Sequence, residues 1–172
     1  MESKSEVKKI PMRNYFVVLT VSVLVIVVSL YVRVFYLSYE KNKINTSIFA
    51  EKVDQINLND MNFALSETGE AILYVSYTGS TDINVMEKKL YKEIEKAGIT
   101  ERVLYLDVTE YKDNLAYLSI LKSKFVSIKD QINVAPMFIY IKDGDGIEAM
   151  SSELKLVDYK LFNKLVAKYE IE

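Results

Sequence analysis

The sequence contains no cysteine, no histidine and no tryptophan among its 172 residues. Without cysteine, the chain cannot form a disulfide or use a thiolate as a nucleophile. Without histidine as well, it lacks the commonest general base of active sites and the usual ligands of zinc. We therefore expect no thiol chemistry, no metal and no cofactor, and we expect that the protein is not an enzyme.

The sequence also lacks an excess of charge of either sign. The formal net charge is −2, with 22 basic and 24 acidic residues. Proteins that bind nucleic acid usually carry a basic patch or stripe that neutralises phosphates. We therefore expect no nucleic acid among the partners of this chain.

A long apolar run near the amino terminus is the most distinctive feature that is present. Residues 15–32 carry no charge, and Val34 to Leu37 continue the run beyond Arg33, whose long side chain can reach the headgroups. A buried soluble helix would show a polar stripe, and a cleaved signal peptide has a shorter apolar region with a small-residue cleavage site. The pattern favours an uncleaved transmembrane helix over residues 15–38, in contact with the lipid bilayer.

The flanking charges give an expected orientation. A short tail, residues 1–14, contains Lys4, Lys8, Lys9 and Arg13, and basic tails before a first span tend to stay in the cytoplasm. We expect a single-pass protein of the plasma membrane with a stalk at 39–52. The folded domain, residues 53–172, would then lie outside the cytoplasm.

The domain sequence alternates strand-like and helix-like segments. Residues 71–77 and 102–108 are continuous apolar runs typical of strands buried on both faces, and the Asp-Gly pairs at 143–146 predict a hairpin. The predicted order is β-α-β-α-β-α-β-β-α, a mixed sheet with flanking helices in the α/β class. The predicted strands lie at 53–58, 71–77, 102–108, 132–141 and 147–150. The predicted helices run from Asn59 or Asp60 to Leu65, over 83–97 with Gly98 as the stop, from near Asp113 to Phe125, and after Asp158.

Two segments carry a resemblance to the thioredoxin superfamily. Residues 71–90, AILYVSYTGSTDINVMEKKL, resemble the strand, turn and helix that hold the Cys-x-x-Cys motif in that family. Residues 134–144, VAPMFIYIKDG, resemble its proline, strand and Lys-Asp-Gly turn. The membrane anchor, the tyrosine-rich strands and the strand ending Tyr105-Leu106-Asp107 also resemble small bacterial thioredoxin-like proteins described as bacteriocin-transport accessory proteins.

The resemblance implies a particular set of residues for the candidate site. The motif cysteines would fall at Ser80 and Ile83, which cannot replace them, and the family's buried acid would fall near Tyr74. Pro136 would be cis, although a proline that opens a strand is ordinarily trans. The family's backbone before the proline pairs with bound peptide, which implies a binding groove formed by Tyr77, Thr78, Gly79, Ser80, Thr81, Ala135 and Pro136.

Simpler interpretations of the polar residues remain open. Ser80, Thr81 and Asp82 precede an apolar helix and are typical caps. Asp143, Asp145 and Glu148 lack the ligand spacing of a calcium loop and favour a solvated hairpin. Asp107 and Glu110 at a strand end could form a carboxylate pair, but such acids usually cap turns.

Three functional hypotheses follow. The first is a redox-inactive accessory protein that binds a membrane-protein or polypeptide partner, as a subunit of a transport or export complex. The second is a holdase chaperone that binds extended polypeptides through the same groove. The third is an enzyme that depends on Ser80 or Asp107, for which the sequence suggests no substrate.

Overall fold

The computed structural model describes residues 11–151 and 159–171 of the chain. The chain divides between Asn42 and Lys43 into two compact units. The first contains most of helix α1, Met12–Ile44, and the second contains all other described elements. The helix predicted after Asp158 is present over Tyr159–Tyr169, and Asp158 itself lies outside the described residues.

Helix α1 is long and apolar enough to cross a membrane. It has 33 residues, which at 1.5 Å per residue corresponds to a length of about 50 Å. A bilayer core of about 30 Å requires roughly 20 such residues. Ser29, inside the run, satisfies its hydroxyl by donating to the Val25 carbonyl oxygen at 2.8 Å. The predicted long apolar helix is therefore present.

The second unit is built around a five-stranded mixed sheet, as predicted. Its spatial order is β1-β3-β2-β4-β5. β1 and β2 run parallel to β3, whereas β4 runs antiparallel to both β2 and β5. The strands are β1 Asp54–Ile56, β2 Glu70–Ser76, β3 Val103–Asp107, β4 Met137–Lys142 and β5 Asp145–Ser151.

Helices cover both faces of this sheet. They are α2 Met61–Ser66, α3 Thr81–Ala97, α4 Ala116–Lys124 and α5 Tyr159–Tyr169. Alternate residues of β2 enter opposite cores, since Leu73 packs with α2 and α4 while Ile72 packs with α3 and α5. The continuous apolar sequence of β2 is explained by this burial on both faces.

The predicted ends of α3 and the predicted hairpin are confirmed. The Ser80 hydroxyl accepts a hydrogen bond from the Ile83 N–H at 3.4 Å, which caps the helix start. Gly98 ends the helix with φ of 73°. Asp143 and Gly144, with φ of 51° and 82°, form the turn between β4 and β5, where two successive positive φ values suit a tight hairpin.

The prediction for α4 is wrong at its start. The helix begins at Ala116, not near Asp113, because Leu115 adopts a left-handed conformation with φ of 53°. Leu115 therefore precedes the helix. Tyr117 and Leu121 are the buried helical residues, whereas Leu115 is 41% exposed.

The segment expected to be a stalk contributes to the folded unit. Residues up to Ile44 continue α1, and Phe49 is fully buried in the core on the α3 side of the sheet. The Phe49 ring lies 4.7 Å from the Tyr74 ring and 6.1 Å from the rings of Tyr91 and Tyr105, measured between centroids. Apolar packing therefore begins ahead of Val53, where the domain was predicted to start.

Candidate functional site

The turn from Tyr77 to Thr81 joins the end of β2 to the start of α3. Hydrogen bonds hold this turn. The Thr78 N–H donates to the Thr109 hydroxyl at 2.8 Å, and the two threonine hydroxyls lie 3.1 Å apart. The Gly79 N–H donates to the Ile44 carbonyl oxygen at 3.0 Å. Gly79 has φ of 91°, a conformation that favours glycine.

The bond between Ala135 and Pro136 is cis, as the resemblance implied. The backbone N–H of Ala135 already has a hydrogen-bond partner inside the molecule. The Ala135 N–H donates to the Tyr117 hydroxyl oxygen at 2.8 Å, in a buried environment. Burial raises the pKa of Tyr117, so its hydroxyl stays protonated at neutral pH. The N–H that the resemblance assigned to peptide pairing is therefore occupied by a side chain of α4.

A pocket of about 390 Å³ lies beside this hydrogen bond. Its walls come from the β2–α3 turn, from the start of α4 and from the residues before Pro136. The lining residues are Tyr77, Lys112, Asp113, Leu115, Tyr117, Val134 and Ala135. We call this the Tyr77–Ala135 pocket. Of the predicted groove, Tyr77 and Ala135 line it, whereas Thr78, Gly79, Ser80, Thr81 and Pro136 do not.

The rim of the Tyr77–Ala135 pocket carries exposed apolar side chains. Leu115 is 41% exposed and Val134 is 39% exposed. The left-handed backbone of Leu115 costs roughly 1–2 kcal/mol for a residue with a Cβ atom. The Leu115 N–H donates to the Tyr111 carbonyl oxygen at 2.8 Å, which helps to hold this conformation. The structure thus holds a leucine at the pocket rim in an unfavourable backbone conformation.

A lysine connects the pocket to the turn. A Cβ atom built on Gly79 would lie 3.5 Å from the Lys112 Nζ atom and 3.8 Å from the Asn45 Oδ1 atom. Lys112 also lines the Tyr77–Ala135 pocket, next to Asp113. The pocket therefore combines two tyrosines and apolar side chains with one charge of each sign.

The two positions expected for the motif cysteines have structural roles. Ser80 caps α3, and Ile83 is buried in the folded unit. With neither thiol nor imidazole in the sequence, the start of α3 has no group for disulfide exchange.

A buried carboxylate lies where the resemblance placed an acid, but it comes from another element. Glu87 of α3 is 2% exposed. Its Oε1 accepts from the Tyr74 hydroxyl at 3.2 Å and the Ser76 hydroxyl at 3.1 Å. Its Oε2 accepts from the Ser47 hydroxyl at 3.1 Å and the Ile48 N–H at 3.4 Å. Burial raises the pKa of Glu87, and these donors partly offset the rise.

Glu87 was not among the residues predicted from the sequence, although its spacing contained a signal. Glu87 lies four residues after Ile83 and three before Leu90, both of which are buried. It therefore occupies the apolar stripe of α3, where a charged residue is unusual. The pocket residues Lys112, Asp113, Tyr117 and Val134 were also missed, and their spacing along the chain gave no comparable signal.

Asp107 holds the neighbouring loop. It accepts hydrogen bonds from both the N–H and the hydroxyl of Thr109, at 2.8 and 2.5 Å. The Thr109 hydroxyl also accepts a hydrogen bond from the Thr78 N–H of the β2–α3 turn. These contacts account for an acid at the end of β3 without a catalytic role.

Comparison with solved structures identifies the fold. Thioredoxin f2 of Chlamydomonas reinhardtii matches with a TM-score of 0.51 and 11% identity, over 70% of this chain and 98% of that one. Mitochondrial thioredoxin 3 of Saccharomyces cerevisiae, in its oxidized form, matches with a TM-score of 0.48 and 15% identity, over 70% of this chain and 97% of that one. Searches with protein-family models and against curated proteins found no match. The element order, the cis Ala135–Pro136 bond and the first of these likenesses together show that the chain has a thioredoxin-like fold, and its sequence contains no cysteine.

Proposed function

We propose that this protein is a membrane-anchored binding subunit that uses a redox-inactive thioredoxin-like domain to hold a partner protein. The Tyr77–Ala135 pocket is the observation that carries the proposal. It lies beside the cis-proline, and two tyrosines and two exposed apolar residues line it. Aromatic and apolar side chains around a concave surface are typical of protein contacts.

The anchor is part of the proposal. Helix α1 would cross the plasma membrane, with the tail in the cytoplasm and the domain outside it. The partner would be a membrane protein or a polypeptide handled by one, in a transport or export complex. Two observations support this arrangement: the length of α1, and the basic residues ahead of it.

The occupied Ala135 N–H favours a folded partner over an extended one. Strand-like pairing of a peptide needs free backbone donors and acceptors at the binding edge. Here a peptide would have to displace the Tyr117 hydroxyl from a buried hydrogen bond. A folded partner that inserts an apolar side chain between Leu115 and Val134 requires no such exchange. This contrast favours the binding subunit over the holdase.

The proposal predicts that a charge at the pocket rim removes the partner. The test is purification of the full-length protein from its native host in mild detergent, with the bound proteins quantified. Val134→Asp replaces an apolar contact with a carboxylate, and its desolvation by a bound partner costs free energy even with Lys112 in the same pocket. We expect recovery of the partner to fall at least about tenfold, which corresponds to 1.4 kcal/mol.

Val126→Asp is the matched control. Val126 is also an exposed valine of the same unit, but it does not line the Tyr77–Ala135 pocket. We expect this variant to retain the partner at the native ratio. Equal loss in both variants, or no loss in either, would refute the pocket as the contact. A mixture of unrelated polypeptides in place of one partner would support the holdase.

A further inference from the structure

Helix α1 carries a charge inside its apolar run. Arg33 follows the uncharged residues 14–32, and Val34 to Leu37 continue the apolar sequence beyond it. Because Met12–Ile44 is one uninterrupted helix, Arg33 lies within the helix and not at its end. An ionisable residue inside a membrane span costs free energy, and such residues usually mark a site of contact or function.

Two pairs of aromatic residues give the depth of Arg33. One pair is Tyr15 and Phe16, and the other is Phe35 and Tyr36. The pairs are twenty residues apart, which corresponds to about 30 Å along a helix and matches the thickness of a bilayer core. Aromatic side chains are enriched at both membrane interfaces. With the pairs at the interfaces, Arg33 lies about 3–5 Å inside the hydrocarbon boundary on its carboxyl side.

The direction of the Arg33 side chain increases the cost of this depth. In an α-helix the Cα–Cβ bonds tilt toward the amino terminus, and long side chains continue in that direction. For Arg33 this direction leads toward the centre of the bilayer, because the nearer interface lies on its carboxyl side. To reach those headgroups the side chain has to bend back. An acceptor within the hydrocarbon core would satisfy the guanidinium without that bend.

The described part of the chain does not supply this acceptor. The positions three and four residues away from Arg33, which a helical side chain can reach, hold no acidic residue. The nearest acid in the helix is Glu40, about 10 Å along the axis. Within residues 11–151 and 159–171, Arg33 makes no ion pair. Its charge is therefore available to another molecule.

The polar residues around Arg33 lie on one side of α1. Spacings of seven, four and three residues place four exposed side chains in one line, which we call the Arg33 stripe. The stripe consists of Ser22, Ser29, Arg33 and Tyr36. Thr20 lies on the opposite side. Small hydroxyl residues allow two membrane helices to approach closely, so the two serines provide a contact line that leads to the arginine.

We propose that the Arg33 stripe packs against a transmembrane helix of another protein, in which an aspartate or glutamate pairs with Arg33. A carboxylate accepts two hydrogen bonds from one guanidinium, and the pair satisfies both charges within the hydrocarbon. A second copy of this chain does not fit, because copies in the same orientation would bring two Arg33 side chains together at one depth. The inference rests on the membrane anchor of the proposed function and gives the partner a defined chemistry.

Photo-crosslinking of the full-length protein in the membranes of its native host tests the stripe. The photoreactive residue replaces Ile26, two turns before Arg33 on the same side, or Leu24, on the opposite side. We expect one discrete product at position 26 and none at position 24. Arg33→Leu should reduce the product at position 26 at least about tenfold, since it leaves the partner's carboxylate unpaired. Lys41→Leu, beyond the apolar run of the same helix, is the matched control and should leave the product unchanged.

The variants keep the anchor, because leucine makes the span more apolar and so favours insertion. Equal products at positions 26 and 24 would overturn the proposal, as would a product of twice the mass of the chain. A product that persists in Arg33→Leu would show that Arg33 serves only the lipid headgroups. Crosslinking at position 134 reports on the Tyr77–Ala135 pocket separately. A product there without one at position 26 would refute the stripe and leave the proposed function in place.

Discussion

Replacing Phe49 by alanine is expected to lower the free energy of unfolding of the domain by about 3–5 kcal/mol. The Phe49 side chain is fully buried among Tyr74, Tyr91 and Tyr105. Its removal leaves a cavity between the segment Lys43–Phe49 and the sheet, in addition to the lost burial of an aromatic ring. Chemical denaturation of the full-length protein in detergent, followed by tyrosine fluorescence, measures the change.

Phe63→Ala is the matched control for this prediction. Phe63, on α2, is 69% exposed, and surface substitutions usually change stability by no more than about 0.5 kcal/mol. Similar losses in the two variants would show that Phe49 is not a core residue. Equal stability of a chain beginning at Val53 and a chain beginning at Lys43 would likewise show that Phe49 is not a core residue.

Replacing Tyr117 by phenylalanine is the second prediction with a large effect. The substitution keeps the ring but leaves the buried Ala135 N–H without an acceptor. A buried donor without a partner costs about 1–3 kcal/mol. We expect the free energy of unfolding to fall by that amount, and we expect the freed N–H to make weak pairing with extended peptides measurable.

The peptide measurement separates the two binding hypotheses. Titration of extended model peptides against the full-length protein should show no binding to the native chain and detectable binding to Tyr117→Phe. Tyr111→Phe is the control, because no hydrogen bond of the Tyr111 hydroxyl is found in the described part of the chain. It should change stability by less than about 0.5 kcal/mol. Equal peptide binding by native protein and Tyr117→Phe would instead favour the holdase.

Local signals predicted much of the fold. The continuous apolar sequence of β2 indicated a strand buried on both faces, and Ser80 and Gly98 marked both ends of α3. The cis bond before Pro136 followed from the resemblance, since the proline by itself would indicate trans. These features depend on residues close together in the chain, or on a motif preserved as a unit.

The features that were not predicted correctly depend on contacts between residues far apart in the sequence. Leu115 fits the apolar spacing of a helix, yet its backbone is left-handed and its side chain lies at the pocket rim. The acceptor for the Ala135 N–H comes from Tyr117, 18 residues earlier. Glu87 is buried because Ser47, 40 residues earlier, lies against it. Periodicity within one helix cannot reveal partners of this kind.

The candidate site was therefore predicted only in part. The resemblance located Tyr77 and Ala135, which line the pocket, but it gave no information on the residues that close it. A chain without cysteine does not carry the motif that marks the site in thioredoxins. The sequence therefore predicted the fold. The Tyr77–Ala135 pocket could be identified only from the tertiary contacts.

If the Tyr77–Ala135 pocket holds a partner protein, as we propose, a photoreactive residue at its rim should form a crosslink with that partner. Site-specific photo-crosslinking in the native host tests it most directly, with the photoreactive residue at position 134 in one variant and at position 126 in the other. We expect one discrete crosslinked product at position 134 and none at position 126. Equal products at both positions, or no product at position 134, would show that this pocket does not hold a partner.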